Sequence, residues 1–459
     1  MRYSYAIILT ILTGCIVPFL LMGDNRILLF TIPVSVGIIA WIQFKKKVIK
    51  PEHFLFFLLA STAIPHSILP GGLKVSISDL YLIFAFILLI IINQYKFNVP
   101  NTYFIIAIIY VTLATLSLIW AHNSSKGITR LFQYFEFMII TVFVFYNIKH
   151  VHYKKMLNGY VFISTILSLV AISFYIIQGG SGPVYMLGYH KNALGAVLGT
   201  SIPIILGLYF LSKEESTKNH LVKEKRKRFR FNLSIEQKVS SKKIYLICFT
   251  INIIGLISTL SRGALLGSIA SILVLLFFIG KTKQIFIIVP LLATCISVYL
   301  YFAPSYLEQA TAFDKFSSAY SRVTIFDDAT KKINEHPILG EGVGNYSIEI
   351  PWINFSQDDP NNVFLLNLVE MGFIGLVAFI LLILCIFIYA LTNKKKHKYN
   401  NKIKILNAIF ISTFTARLVH IQVDVSWVRG IGIFMFAVVG MLLALRKIDR
   451  VNKPIKSAK

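Results

Sequence analysis

The chain contains 459 residues, of which 56% are hydrophobic and only 14% are charged, and its formal net charge is +26. Soluble globular proteins carry roughly 25% charged residues, and one core could not hide this much apolar surface, so the composition excludes a soluble globular fold. The positive charge does not indicate a nucleic-acid partner, because lysines and arginines are concentrated in the connections between apolar runs.

Apolar runs of about 20 residues recur along the chain, and each is long enough to cross the hydrocarbon core of a bilayer as a helix. Fourteen runs can be identified, although the third is short and contains Pro65 and His66. We therefore predict an all-α polytopic membrane protein with 12–14 transmembrane helices. The runs cover 3–22, 26–44, 53–69, 76–92, 101–120, 128–147, 155–177, 190–211, 243–260, 263–280, 284–303, 362–391, 404–424 and 429–445.

The runs divide the chain into four predicted parts. These are N-terminal transmembrane helices at 1–189, transmembrane helices with a basic loop (212–243) at 190–303, a large outer loop at 304–361, and C-terminal transmembrane helices with a basic tail at 362–459.

The basic residues predict the orientation of the chain. When the connections are assigned alternately to the two sides, 34 of the 46 lysines and arginines fall on the side of the N-terminus. Cytoplasmic connections carry such an excess, so we predict that both termini are cytoplasmic and that loop 304–361 is extracytoplasmic. The basic run KEKRKRFRF at 223–231 is interpreted as topogenic charge, with binding to anionic lipid headgroups as the alternative.

The outer loop 304–361 holds 9 of the 20 acidic residues. Within it, Ser321 can cap a helix whose apolar positions, from Val323 to Ile333, share one face. His336-Pro337 ends that helix, because a residue before proline avoids the helical conformation. The predicted apolar positions are Val323, Phe326, Ala329 and Ile333.

Three alternate glycines follow this helix, at Gly340, Gly342 and Gly344. Such a turn can expose backbone N–H groups that cradle a phosphate. Glycine is also the common residue of ordinary turns, and we favour that second interpretation.

Two cations lie at the predicted outer edge of the membrane, and each is followed by small residues that permit close helix packing. Arg262 precedes Gly263 and Gly267, and Lys191 lies in the similar segment HKNALGAVLG. We expect both cations to face one outer vestibule.

Ionisable residues inside the predicted spans are functional candidates by default. Arg417, His420 and Asp424 have the spacing of one helix face, and they represent either a functional group or a structural Arg–Asp pair between helices. Glu136 and Glu370 leave the same two interpretations open.

Four segments resemble the O-antigen ligases and O-antigen-type polymerases of bacterial envelope polysaccharide synthesis. The resemblance covers about 190–390, and the chain before residue 190 matches the family only in being transmembrane. The segments are HKNALGAVL (190–198), STLSRGALLG (258–267), SRVTIFDDATKKINEHPILGEGVGNY (321–346) and NNVFLLNLVEMGFIGL (361–376).

This resemblance implies a glycosyltransferase embedded in the bacterial cytoplasmic membrane that needs no metal or other cofactor. Its donor would be an undecaprenyl-diphosphate-linked oligosaccharide and its acceptor a growing polysaccharide, with a flippase and chain-length proteins as possible partners. Arg262 matches a family arginine that holds the donor diphosphate, Arg322 matches the arginine that opens the loop motif, and Lys191 could assist them. Arginine suits this task because its planar fork fits phosphate oxygens.

The sequence departs from the family at one informative position. Ligases of the family carry a histidine, proposed to activate the acceptor hydroxyl, where this chain has Asn361, and the Asn side chain cannot take a proton. The remaining candidates for the base are Asp358, Asp359, Glu341 and His336. The alternative is a site without a base, which works by positioning the substrates and stabilising the leaving group. Asn361 is expected to contribute to the site in either case. Arg417, His420, Asp424 and Asn362 are expected to support it.

The departure favours a polymerase that joins repeat units, as in teichuronic-acid or capsule synthesis, over a ligase that transfers finished glycan to a lipid or protein. A third hypothesis from another class is a flippase or transporter of lipid-linked oligosaccharide. Transport would require charged groups around a midplane cavity, whereas the charges of this chain are predicted at one face.

Overall fold

Helices dominate the structure, which is a computed structural model. It describes residues 51–64, 76–93, 98–180, 184, 190–227, 241–285, 318–350, 355–424 and 429–448. The helices are α1 (Pro51–Ser61), α2 (Ile77–Asn93), α3 (Asn101–Leu116), α4 (Ser124–Phe135), α5 (Val142–Asn147), α6 (Tyr153–Ile177), α7 (Lys191–Lys227), α8 (Ser241–Ser258), α9 (Arg262–Ile279), α10 (Ser318–Glu335), α11 (Val363–Lys396), α12 (Asn401–His420) and α13 (Arg429–Ala444). A π-helical segment, Glu136–Thr141, joins α4 to α5.

Eight helical segments in the described part of the chain are long and apolar enough to cross a membrane. They coincide with eight of the predicted runs, so the prediction of a mostly helical, multi-pass membrane protein is confirmed. Three further runs form the helices α1, α2 and α8. Runs 3–22 and 26–44, and run 284–303 from residue 286 onward, lie outside the described residues, as do both termini, so the count of 12–14 and the orientation stay predictions.

The surface of α11 indicates how deep it lies in the membrane. Its large apolar side chains are exposed on one face from Phe373 (62%) to Leu391 (44%), which is about 27 Å along a helix axis and close to the roughly 30 Å of a bilayer core. Lys394, Lys395 and Lys396 follow directly. The helix is broken at Gly372 (φ 62°, ψ −164°), and the part before the break lies outside this exposed apolar stripe.

Small residues bring α7, α9 and α12 into close mutual contact. A Cβ at Gly195 of α7 would lie 2.6 Å from the Ser261 Cβ at the start of α9. Towards α12, Gly263 and Gly267 leave no room for a Cβ, and the atom nearest to a Cβ at Gly267 is the Ala416 carbonyl oxygen. This packing places the first residues of α7 and α9 beside the end of α12.

The outer loop contains α10, and its observed packing corrects the prediction. The helix ends at Glu335, before His336-Pro337, but it begins at Ser318, so Ser321 lies inside it. Ile325 and Ala329 are buried, whereas Val323 and Phe326 are exposed. Residues 325 and 329 are one turn apart, and the Tyr346 hydroxyl donates to the Ile325 carbonyl at 3.2 Å, so the loop's own fold selects the buried face.

A short antiparallel hairpin in the outer loop was not part of the all-α prediction. Strand β1 (Ile348–Ile350) pairs with β2 (Phe355–Gln357), with Glu349 opposite Ser356. These strands are three residues each, too short for a pattern of alternating hydrophobicity to be recognised in the sequence. The hairpin leads the chain back towards Asp358 and the start of α11.

Candidate active site

The N-termini of α7 and α9 carry the two predicted membrane-edge cations, since Lys191 and Arg262 are the first residues of these helices. Arg262, Arg322 and Asp424 all act electrostatically on Lys191, so the structure brings Arg322 of the outer loop to the same place. Helix N-termini offer unpaired N–H groups and positive dipole ends to an anion. Lys191, Arg262 and Arg322 are called the cationic cluster below.

Crowding within the cationic cluster affects its own members. Burial lowers the pKa of Arg322 below its usual value, the neighbouring positive charge of Arg262 lowers it further, and Asp424 opposes both effects. Burial also lowers the pKa of His190; Asp424 opposes that effect and Lys191 adds to it. The cluster therefore favours a ligand that carries several negative charges.

Asp424 is a carboxylate that acts on this cluster, and both of its oxygens have a partner. Its Oδ1 accepts a hydrogen bond from Asn192 Nδ2 at 3.0 Å, and its Oδ2 lies 3.4 Å from His420 Nε2. It also acts electrostatically on Arg322 and Arg417. Asp424 thus joins α7 to the end of α12 and partly balances the cations.

Arg417 and His420 continue this chain of contacts into the protein. Both are 2% exposed, and Arg417 Nη1 lies 3.1 Å from His420 Nδ1. Guanidinium groups only donate, so Nδ1 is the acceptor and the ring proton is on Nε2, facing Asp424. The predicted trio is therefore one connected network, Arg417 to His420 to Asp424, in which a neutral histidine lies between the two charges.

The second group of site residues lies where the outer loop returns to α11. Asp358 is tied to α4, because its Oδ1 lies 2.9 Å from Lys126 Nζ and its carbonyl accepts from Arg130 Nη2 at 3.3 Å. Asp359 is 5% exposed, and it acts electrostatically on Arg130 and on Arg417. Asp359 is the predicted base that lies between this group and the Arg417 network.

Asn361 and Asn362 have different positions. Asn361 is in the left-handed region (φ 57°), which Asn tolerates better than most residues, and its backbone N–H donates to Asp359 Oδ1 at 2.8 Å. Asn362 caps α11, with its Oδ1 accepting from the N–H groups of Phe364 and Leu365. Its contacts therefore fix the start of the helix.

The other two predicted bases lie away from the cationic cluster. Glu341 Oε2 pairs with Lys332 Nζ at 3.4 Å. His336 is exposed and follows the end of α10, fourteen positions after Arg322, which is about 21 Å along a helix axis. The structure does not bring either residue to Arg322.

The glycine-rich turn holds the outer loop against its neighbours. Gly340, Gly342 and Gly344 have φ values of 69°, 96° and 76°, a region that other residues avoid. A Cβ at Gly340 would lie 2.5 Å from the Glu370 carbonyl carbon, and one at Gly344 would lie 2.7 Å from the Gly127 nitrogen. Conformation and close packing both require these glycines.

The N–H groups of this turn are used by acceptors within the protein. Glu341 and Gly342 donate to the carbonyls of Val369 and Glu370, each at 2.9 Å. The break of α11 at Gly372 makes these carbonyls available. The geometry thus supports the ordinary-turn interpretation rather than a phosphate cradle.

A buried polar group beneath this turn includes residues that the sequence analysis missed. Glu370 is fully buried, and Arg130, Asp359 and the N–H of Gly344 all act on it. Arg130 also interacts with Tyr134. The i, i+4 spacing of Lys126 and Arg130 at a predicted outer membrane edge was a signal for this group. It was missed because Arg130 falls within the predicted apolar run 128–147.

Glu136, the other acidic residue within a predicted span, begins the π-helical segment and is partly buried. Such segments are frequent at functional sites.

Part of the chain that contains these site residues is similar to a known protein family. Residues 247–380 match the family model described as O-antigen ligase. No curated protein was found to match the chain. The resemblance is confirmed over this segment, which includes Arg262, Arg322 and Glu370, and it indicates glycan transfer of the ligase or polymerase type. Lys191 and the Arg417 network lie outside the matched segment, but the fold brings them to it.

Proposed function

We propose that this chain, with its O-antigen ligase segment at 247–380, is the polymerase of a cell-envelope polysaccharide. It joins undecaprenyl-diphosphate-linked repeat units on the outer face of the bacterial cytoplasmic membrane, with both of its termini cytoplasmic. The observation that carries the proposal is the convergence of Lys191, Arg262 and Arg322 at two helix N-termini.

The cationic cluster binds the donor diphosphate and stabilises it as a leaving group. Negative charge builds up on the diphosphate as its bond to the sugar breaks, and fixed positive groups stabilise that charge in the transition state. Arg262 and Arg322 contribute planar forks for phosphate oxygens, and Lys191 contributes a compact point charge. The two helix N-termini add oriented N–H groups.

The acceptor hydroxyl attacks the anomeric carbon of the donor from the side of Asp359. A bond forms between the hydroxyl oxygen and that carbon, the bond from the carbon to the diphosphate oxygen breaks, and its electron pair leaves with the diphosphate. The hydroxyl proton passes to the Asp359 carboxylate, as in general base catalysis. Of the four predicted bases, Asp359 is favoured because it acts on Arg417, whereas Glu341 is paired with Lys332.

The experiment is polymerisation of lipid-linked repeat units by the purified chain in proteoliposomes. Arg262→Ala should lower the rate at least about 100-fold, the usual effect of removing one group that stabilises transition-state charge. Lys331→Ala is the matched control, because Lys331 is an exposed cation on the same loop helix as Arg322. Normal polymer formation by a correctly inserted Arg262→Ala variant would refute the proposal.

The same assay separates the alternatives. A ligase would transfer preformed glycan to a lipid or protein acceptor and leave single repeat units unjoined. A flippase would move labelled lipid-linked units across the vesicle membrane without joining them. A flippase and chain-length proteins are proposed as separate partners, since the donor must be delivered to the outer face and the product length controlled.

A further inference from the structure

Three lysines from different parts of the chain meet at the C-terminal turn of α9. Arg262 lies at the other end of this helix, at its N-terminus. Lys281 follows the turn itself, Lys394 comes from the end of α11, and Lys404 comes from the start of α12. Lys394 Nζ donates to the Phe277 carbonyl at 3.2 Å, and a Cβ at Gly280 would lie 3.2 Å from Lys404 Nζ. We call these residues the lysine triad.

The lysine triad is crowded with positive charge. Lys404 acts electrostatically on Lys394, and burial together with Lys213 lowers the pKa of Lys281. None of the ion pairs found among the described residues involves a member of the triad. The C-terminus of α9 offers a partial negative charge of about one half, which does not balance three ammonium groups.

The triad also adjoins an apolar surface. Lys394 Nζ lies 3.7 Å from the ring centroid of Phe277, and that ring is 46% exposed. Lys281 Nζ lies 4.3 Å from the ring centroid of Phe210. The site therefore has positive heads beside exposed hydrocarbon, which matches the two ends of a lipid.

The position of α11 gives the depth of the triad. Leu391 is the last exposed apolar residue of the lipid-facing stripe of α11, and Lys394 is almost one turn further along. The ammonium groups are therefore at the level of the phosphates of one leaflet. Basic pockets between helices at this level are typical binding sites for anionic lipid headgroups.

We propose that Lys281, Lys394 and Lys404 bind the phosphodiester headgroup of an anionic phospholipid, with an acyl chain against Phe277. The bound lipid would tie the ends of α9, α11 and α12 together. This proposal is independent of the glycosyl transfer proposed above, because the triad lies at the opposite end of α9 from Arg262.

The test uses the purified full chain in neutral detergent, titrated with phosphatidylglycerol or with phosphatidylcholine. Retained lipid is counted by native mass spectrometry, and the unfolding temperature is measured in parallel. We expect phosphatidylglycerol to be retained and to raise the unfolding temperature, and phosphatidylcholine to do neither. Lys394→Gln should weaken the apparent affinity about fivefold, which corresponds to about 1 kcal/mol for one lysine at a membrane surface.

Lys395→Gln is the matched control, because Lys395 is the next residue, carries the same charge and is exposed. Its affinity should stay within about twofold of the parent chain, and Lys394→Arg should retain binding because it keeps the charge. Lys404→Gln provides a second test if Lys394→Gln does not give folded protein. Equal losses in Lys394→Gln and Lys395→Gln would overturn the site in favour of diffuse surface charge, and equal stabilisation by inorganic phosphate would overturn the lipid assignment.

Discussion

The contact between α7 and α9 provides a quantitative test of how the cationic cluster is assembled. Gly195 lies one turn after Lys191, and a Cβ there would be 2.6 Å from the Cβ of Ser261, the residue before Arg262. Ordinary contact begins at 3.4 Å, so Gly195→Ala should force the two helix ends apart by about 0.8 Å. A displacement of about 1 Å at a catalytic site can cost 10²-fold in rate, so we expect a loss of 10- to 100-fold.

Gly199→Ala is the matched control on the same pair of helices. Its Cβ would lie 3.0 Å from Ser268 Oγ, so a shift of about 0.4 Å is sufficient and activity should stay within about threefold. Both substitutions replace glycine by alanine within α7 and raise its intrinsic helix propensity by a similar amount. This effect on helix stability therefore cancels when the rates of the two variants are compared. Ser261→Gly combined with Gly195→Ala removes the clashing Cβ and should recover part of the rate.

The assay is the initial rate of joining lipid-linked repeat units, with size-exclusion chromatography to show that each variant is monodisperse. If Gly195→Ala and Gly199→Ala had equal rates, or if Ser261→Gly gave no recovery, the spacing of α7 and α9 would not determine the function of the cluster.

Two further predictions concern the base. Asp359→Asn should lower the rate about 10²- to 10⁴-fold, the usual range for loss of a general base, and it should leave donor binding unchanged. Asp358→Asn should lower the rate only a few fold. If Asp358→Asn had the larger effect on the rate, Asp359 would be excluded as the base. Asn361→His in the Asp359→Asn background should restore part of the activity, because histidine also tolerates the left-handed conformation. A histidine base must be neutral to accept a proton, so the restored rate should rise as the pH increases through about 6.5, and a flat profile between about pH 5.5 and 8 would contradict this role.

The sequence was sufficient to predict the eight candidate membrane-spanning helices of the described residues and the small-residue contacts, because both depend on local patterns. Gly195 follows Lys191 at close spacing and allows the close approach of α7 to the start of α9, whereas Gly263 follows Arg262 and allows the close approach of α9 to the end of α12. The end of α10 could also be predicted from a local signal, because Pro337 prevents the helix from continuing.

The features that the sequence did not predict depend on distant segments. The buried face of α10 is selected by Tyr346, which lies beyond the end of that helix. The link between Arg130 and Glu370 joins residues 240 positions apart, and the first lies in a half of the chain without family resemblance. The capping role of Asn362 became visible only when the start of α11 was defined.

The charge of the cationic cluster has a consequence for turnover. When the sugar leaves, the diphosphate keeps the electron pair and gains an ionisable oxygen, so the spent carrier is more anionic than the donor. If Lys191, Arg262 and Arg322 bind the donor diphosphate as proposed, they should hold the spent carrier more strongly than the donor, and the spent carrier should act as a competitive product inhibitor.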